Sequence, residues 1–508
     1  MSRKKFTQKD TTSILTLGEL KKAGYEPISI KEELRYNLVQ KLQQKEPVFN
    51  GIWGYEETVI PDMERAILSR HHINLLGLRG QAKTRLARMM VNLLDEFVPV
   101  VAGSELNDDP MQPLSKNARD LIAEHGDGTP VSWLHRGQRY TEKLATPDVS
   151  VADLIGDVDP IKAASLKLPY SDERVIHYGL IPRSHRCIFV INELPDLQAR
   201  IQVALFNILQ EGDIQIRGFN VRLPLDIQFI FTANPEDYTN RGSIVTPLKD
   251  RIDSQIITHY PNSIDIGRKI TQQEAKLAPA QQEMVEVNDV LQNMIEQLAI
   301  EARQNEYVDI KSGVSARLTI SAYENLVSAA ELRALTNGET HTQARLSDLW
   351  GVIPAITGKV ELVYEGEQEG PLIVAQNLIG KTVRAMFLTF FPDPEKMKKQ
   401  KEKNPYKPVT DWFGNGNTID LLNDMSHADY KDTLLKVAGL EDLVEEYHAR
   451  ETYELKLFLM EFALHGLAEY SMLSKNTLSR GLQFKDLLSS MFNPSSFSFD
   501  DEDEEEDY

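Results

Sequence analysis

The chain of 508 residues has one cysteine, Cys187. A single cysteine forms no intrachain disulfide and no CxxC metal motif. That usage fits a reducing compartment, and a cytoplasmic location is expected. The sequence also lacks any run of about 18 apolar residues, so no membrane span is expected. The opening MSRKKFTQKD is polar and basic with no apolar stretch behind it, so it does not read as a signal peptide. Positive charge is in short supply: 56 Lys and Arg face 76 Asp and Glu, for a net charge of −20. A chain this acidic is poorly suited to coating nucleic-acid phosphates, so a nucleic-acid partner is not expected. Much of the excess lies in the unbroken acidic run Asp500 to Asp507, read as a solvated tail. No repeat of solenoid period is visible.

What is present divides into five stretches. Residues 1–50 form a polar, partly helical lead-in. Residues 51–260 alternate strands and helices. Residues 261–345 read as helical throughout. Residues 346–499 are mainly helical, with a Lys/Pro-rich linker at 392–408, and 500–508 is the acidic tail. In the second stretch, Ile73–Leu76, Val98–Ala102, Cys187–Ile191 and Ile227–Phe231 are short apolar runs of the kind that form buried parallel strands. Ile214–Ile216 and Val221–Leu223 alternate around Gly218–Asn220 and predict a hairpin. Leu86, Met89, Met90, Leu93 and Leu94 keep helical spacing, as do Leu197, Ile201, Leu205 and Ile208. Strands separated by helices predict an α/β fold, a parallel sheet flanked by helices. The polar stretch at about 104–145 reads as a surface loop or partner-binding arm. His71 and His72 read as structural rather than as metal ligands.

The chemistry concentrates at Gly77-Leu-Arg-Gly80-Gln81-Ala82-Lys83-Thr84, between a predicted strand and a predicted helix. That is the context a phosphate-binding loop requires. Loop N–H groups and a helix N-terminus converge on phosphate oxygens. Lys83 would reach the β- and γ-phosphates of ATP, and the Thr84 hydroxyl would ligate Mg²⁺. Arg85 follows in the first helical turn. Ala82 stands where a glycine is usual, which is tolerable unless the backbone needs a glycine-only conformation.

Three further points fit the same chemistry. The strand Ile188–Ile191 ends in Asn192-Glu193. Glu193 would activate the attacking water. Asn192 would hold Mg²⁺ through water but lacks the charge of the aspartate usual there. Two readings stay open: hydrolysis with weakened Mg²⁺ binding, or a nucleotide-dependent switch that turns ATP over little. Asn234, after the strand Ile227–Phe231, would sense the γ-phosphate. Arg251 is the first candidate for an arginine finger presented to a neighbouring subunit, and Arg241 the second. Arg317, opening a helix after Gly313, is placed to act as a second phosphate sensor.

These elements, in this order, resemble AAA+ ATPases, and most closely the group holding MoxR-type ATPases and the ATPase (I) subunit of magnesium chelatase. The resemblance covers about residues 50–335. It rests further on Ile52-Trp-Gly54-Tyr-Glu-Glu57, similar to the family's adenine-contacting segment, with Gly54 among the nucleotide contacts. Ala82-Lys83-Thr84 is similar to the alanine–lysine form common in MoxR proteins. Ala152–Asp157 resembles the start of the helix-2 insert, Gly179-Leu-Ile181 the lead-in to the Glu193 strand, and Gln210-Glu-Gly212 the segment before the hairpin. The resemblance implies a P-loop AAA+ sheet followed by a helical lid, and a ring homo-oligomer, commonly a hexamer, with ATP and Mg²⁺ at subunit interfaces. It also implies a chaperone-like motor that remodels a protein partner, in many members one with a von Willebrand A domain. The rival readings are a chelatase ATPase subunit and a non-hydrolysing switch or scaffold. A sigma-54-type activator is disfavoured, since no GAFTGA loop is present.

Overall fold

The computed structural model describes residues 3–170, 172–216, 222–235, 243–399 and 404–487. The hairpin tip Gly218–Asn220, Arg241 and the acidic tail lie outside the described residues. The chain forms two compact units, Met1–Tyr260 and Pro261–Tyr508. Among the described residues no helix is long and apolar enough to cross a membrane.

The first unit is built on a five-stranded sheet. Its strands are β1 (Ile73–Leu76), β2 (Tyr140–Leu144), β3 (Cys187–Asn192), β4 (Ile227–Ala233) and β5 (Ser254–Ile257). They lie in the order β5-β1-β4-β3-β2, every pair parallel. Four helices matter for the site: α1 (Ile30–Gln44), α2 (Val59–Leu68), α3 (Lys83–Met89) and α4 (Ala199–Glu211). The apolar runs of β3 and β4 are continuous because both sheet faces are covered. Ile188, Val190 and Ile230 pack with residues of α1, α2 and α3 on one face. Phe189, Ile191, Phe229 and Phe231 pack with Ile201, Leu205 and Ile208 of α4 on the other. Successive side chains of a strand point to opposite faces, so a strand covered on both sides must be apolar at every position.

Two features differ from the sequence-based expectation. The predicted strand at Val98–Ala102 is real but lies outside this sheet. Phe97–Val101 pairs antiparallel with Val131–His135 in a two-stranded ribbon. Pro99 has no N–H to give to a ladder, which suits a two-stranded edge better than a sheet interior. The fifth sheet position is taken instead by β2, from within the stretch read as a surface loop. That stretch also holds a helix, Lys116–His125. β2 reads Tyr-Thr-Glu-Lys-Leu, polar and largely half-buried, because an edge strand has one neighbour and needs no continuous apolar run.

The N-terminal stretch is integral to this unit. Ile30, Leu34 and Leu38 of α1 are buried in the core. Glu33 accepts two hydrogen bonds, both of 2.7 Å, from the buried guanidinium of Arg139, immediately before β2. His72 is buried and accepts the Phe229 N–H at Nδ1 (3.2 Å). Burial pushes its pKa down to about 3, which keeps the ring neutral.

The second unit is helical around one core. Its main helices are α5 (Asp289–Gln304), α6 (Arg317–Thr336), α7 (Pro371–Phe390) and α8 (Tyr453–Glu469). The core runs from Val285 to Phe484, so helices before and after residue 345 share it. α8 is buried on all sides from Leu457 to Leu467, Glu461 and His465 included, as befits a central helix. A three-stranded antiparallel sheet, Ile419–Leu422, Gly481–Lys485 and Ser474–Leu478, closes one side.

Glu296 of α5 is buried, accepting from Thr271 Oγ1 at 2.5 Å. Burial raises its pKa from 4.5 to about 7, opposed by that bond and by Arg303. The folded state therefore holds this proton more tightly than the unfolded chain. Stability present below pH 4.5 is lost as pH climbs toward 7. Glu296→Gln is expected to remove that loss and gain about 3 kcal/mol at pH 8 relative to pH 4.5. Urea denaturation of both proteins at the two pH values checks it; parallel pH slopes would refute it.

Candidate functional site

The site lies at the C-terminal ends of β1, β4 and β3. β1 ends at Leu76, and the chain turns through Gly77–Ala82 into α3. Gly77 donates to Ala233 O of β4 (3.1 Å). A Cβ on Gly77 would overlap Thr258 Oγ1 and the Gln81 side chain, so this glycine is required for close approach. Gln81 is buried, its Oε1 accepting from Thr258 Oγ1 at 2.7 Å. Two phenols fix the course of the loop. Tyr55 Oη approaches Gln81 O at 3.0 Å and His259 O at 2.8 Å, and Tyr260 Oη donates to Arg79 O at 3.0 Å. Tyr55 belongs to the segment Ile52–Glu57 noted in the sequence, Tyr260 carries no signal there, and only the fold brings both to the loop. Gly54, one residue before Tyr55, has φ of +80°.

Gly80 and Ala82 both adopt left-handed backbone, with φ of +73° and +56°. The position usually held by glycine therefore does need the conformation glycine favours, and Ala82 bears it at a cost of roughly 1 kcal/mol. Ala82→Gly is expected to return part of that cost, raising the melting temperature of the first unit by a few degrees. A lower melting temperature would show that the methyl contributes more by packing than it costs in backbone strain.

Lys83, Thr84 and Arg85 open α3. Lys83 is buried, and its Nζ donates to Gly77 O, to Leu78 O (3.1 Å) and to Asn234 Oδ1 (2.5 Å). Asn234 is buried just beyond β4, and its Nδ2 donates to Glu193 Oε2 at 2.8 Å. Lys83, Asn234 and Glu193 thus form one hydrogen-bonded chain across β1, β4 and β3. Glu193 sits in left-handed backbone, φ +55°, and its N–H donates to Thr232 Oγ1 at 3.2 Å. Thr232 Oγ1 in turn donates to Asn192 Oδ1 at 3.1 Å. Asn192 Nδ2 donates to Glu142 Oε1 of β2 at 2.6 Å. Thr232 and Glu142 are the site residues that sequence reading missed. Glu142 lay in the stretch read as a loop.

Arg251 donates to Gln210 Oε1 (3.0 Å) and Pro247 O (2.7 Å) and lies over the Phe206 ring, so it packs against α4 rather than on the phosphate loop. Arg317 belongs to the second unit, exposed at the first residue of α6, with its N–H donating to Ser315 Oγ.

The oxygen donors here are a hydroxyl, an amide and two carboxylates, the set a hard cation such as Mg²⁺ prefers. Among the described residues no group of three His, Cys, Asp or Glu is gathered as a metal cage.

No family model matches the chain. Solved structures with partial likeness include NtrX from Brucella abortus, at 13% identity over 57% of this chain and 55% of that one, TM-score 0.30. A protein assigned as an ATPase from Cytophaga hutchinsonii matches at 17% identity over 71% of this chain and 97% of that one, TM-score 0.27. A complex of the magnesium chelatase subunits BchI and BchD matches at 18% identity over 63% of this chain and 98% of that one, TM-score 0.31. The chain spans about half the length of the NtrX chains it matches.

Proposed function

We propose that this chain is a Mg²⁺-dependent AAA+ ATPase. The observation that carries this reading is the chain Lys83–Asn234–Glu193, which joins a phosphate-binding lysine to a candidate general base through a buried amide. Lys83 would exchange its backbone carbonyls for β- and γ-phosphate oxygens, a charge-assisted and stronger pairing. Loop N–H groups between Gly77 and Thr84 would take further phosphate oxygens. Glu193 would accept a proton from the water attacking the γ-phosphorus, while the bond from that phosphorus to the β–γ bridging oxygen breaks. Asn234 would hold the Glu193 carboxylate on line and sense the γ-phosphate. Mg²⁺, when bound, would neutralise phosphate charge; Thr84 and, through water, Asn192 are the candidates to hold it.

At the finer level we propose a MoxR-type remodelling motor, working as a ring, with a von Willebrand A domain protein as the candidate partner. The motifs at Ile52–Glu57, Ala82–Thr84 and Gln210–Gly212 support that reading. Arg251 and Arg317 would complete a site only when presented to ATP by a neighbouring subunit or by the second unit. A magnesium chelatase subunit is the alternative that the same motifs allow. A low-turnover switch is favoured by one observation: the Asn192 amide has both ends engaged, by Thr232 and Glu142.

ATP turnover of purified protein with Mg²⁺, beside nucleotide binding, tests the central reading. Turnover per chain that rises with protein concentration would support a ring. Failure to bind any nucleotide would overturn the ATPase reading.

A further inference from the structure

The asparagine at the end of β3 leaves the Mg²⁺ side of the site one negative charge short. The tertiary structure brings another carboxylate to the same place. Glu142 stands on β2, which pairs with β3 so that Leu144 lies beside Asn192 and Glu142 beside Val190. Its Oε1 lies 2.6 Å from Asn192 Nδ2. Its other oxygen, Oε2, takes Arg88 Nε, Arg88 Nη2 and the Tyr140 hydroxyl, each at 3.0 Å. Arg88 is four residues after Thr84 on α3, so the two share a helix face. The Arg88–Glu142 pair therefore ties the face bearing the Mg²⁺-ligating hydroxyl to the end of β3. Arg88 is largely exposed, so this ion pair is weaker than a buried one and engages Oε2 alone. Oε1 has only the neutral amide as its partner among these contacts.

We propose that Glu142 supplies to the Mg²⁺–ATP site the negative charge that Asn192 lacks, acting on the water shell of the ion through Oε1. This rests on the ATPase reading above. The aspartate charge has in effect moved one strand over, from the tip of β3 to the edge strand β2. Asn192 then serves as a neutral spacer: its amide orients Glu142 on one side and Thr232 on the other. Outer-shell carboxylates of this kind change metal affinity by roughly 10- to 100-fold.

The test reads Mg²⁺ dependence rather than turnover. Affinity for a fluorescent ATP analogue is titrated against free Mg²⁺, and again in EDTA, for wild type, Glu142→Gln, Arg88→Ala and the double variant Glu142→Gln/Asn192→Asp. Glutamine keeps the shape and an acceptor for Asn192, so the fold is retained. Glu142→Gln should raise the Mg²⁺ midpoint about tenfold and leave the affinity in EDTA unchanged. Asn192→Asp in the same chain should bring the midpoint back. Arg88→Ala, which breaks the strut but keeps the carboxylate, should leave the midpoint at or below that of wild type. A Glu142→Gln midpoint within twofold of wild type overturns the proposal. So does a shift that Asn192→Asp fails to recover, or one that Arg88→Ala reproduces, since either marks Glu142 as a structural brace. Wild type that binds nucleotide in neither condition removes the ATPase reading, and this inference with it.

Discussion

Lys83→Ala is expected to weaken ATP binding about 100-fold or more, while leaving the fold intact. Lys83 is buried at the N-terminus of α3 with its ammonium already turned into the loop, donating to Gly77 O, Leu78 O and Asn234 Oδ1. Little rotamer entropy remains to be lost on binding phosphate. Each hydrogen bond from a charged donor contributes roughly 1.5–3 kcal/mol, and two such bonds to phosphate exceed a hundredfold in affinity. Gly77 stays fixed by its bond to Ala233 O, and the loop by Tyr55 and Tyr260, so alanine should not collapse the site. Equilibrium titration with a fluorescent ATP analogue, beside circular dichroism, reads both halves. Binding within tenfold of wild type would show that phosphates do not sit on this lysine.

Glu193→Gln should separate binding from chemistry. Glutamine keeps an oxygen for Asn234 Nδ2 but can take no proton from water at neutral pH. Loss of a general base costs about 10²–10⁴ in rate. Affinity for ATP should change little, since Glu193 faces the water rather than the phosphate loop in this scheme. Single-turnover hydrolysis decides the matter. Unchanged rates would leave Glu193 as a strand-end carboxylate and favour the switch reading. The left-handed backbone at Glu193 gives a further reason to expect a functional role: strain of this kind persists where the surroundings hold it in place.

Much of this candidate site is legible in the sequence. Gly77, Lys83 and Thr84 stand out because a strand, a tight loop and a helix follow one another there, all local in sequence. Asn192, Glu193 and Asn234 stand out because each is a polar residue that follows an apolar run. The position of Ala82 was visible, but its left-handed backbone was not, since φ is set by the closure of the loop between β1 and α3. Tyr260, Thr232 and Glu142 carried no local signal. Each acts across a large sequence separation, and the edge strand β2 is too polar for an apolar-run criterion to find.

By itself the sequence determined the α/β alternation, the buried strands β1, β3 and β4, and the residues at their ends. Apolar periodicity and glycine placement are properties of short windows, so no tertiary information is needed to read them. Only the tertiary structure decided that β4 lies between β1 and β3, which joins Lys83 to Glu193 through Asn234. It alone decided that helices on both sides of residue 345 share one core. It also moved Val98–Ala102 out of the sheet and put Glu142 beside Asn192. Strand order is fixed by which apolar faces bury one another best across the whole unit. That is a sum over distant residues, and no short window contains it.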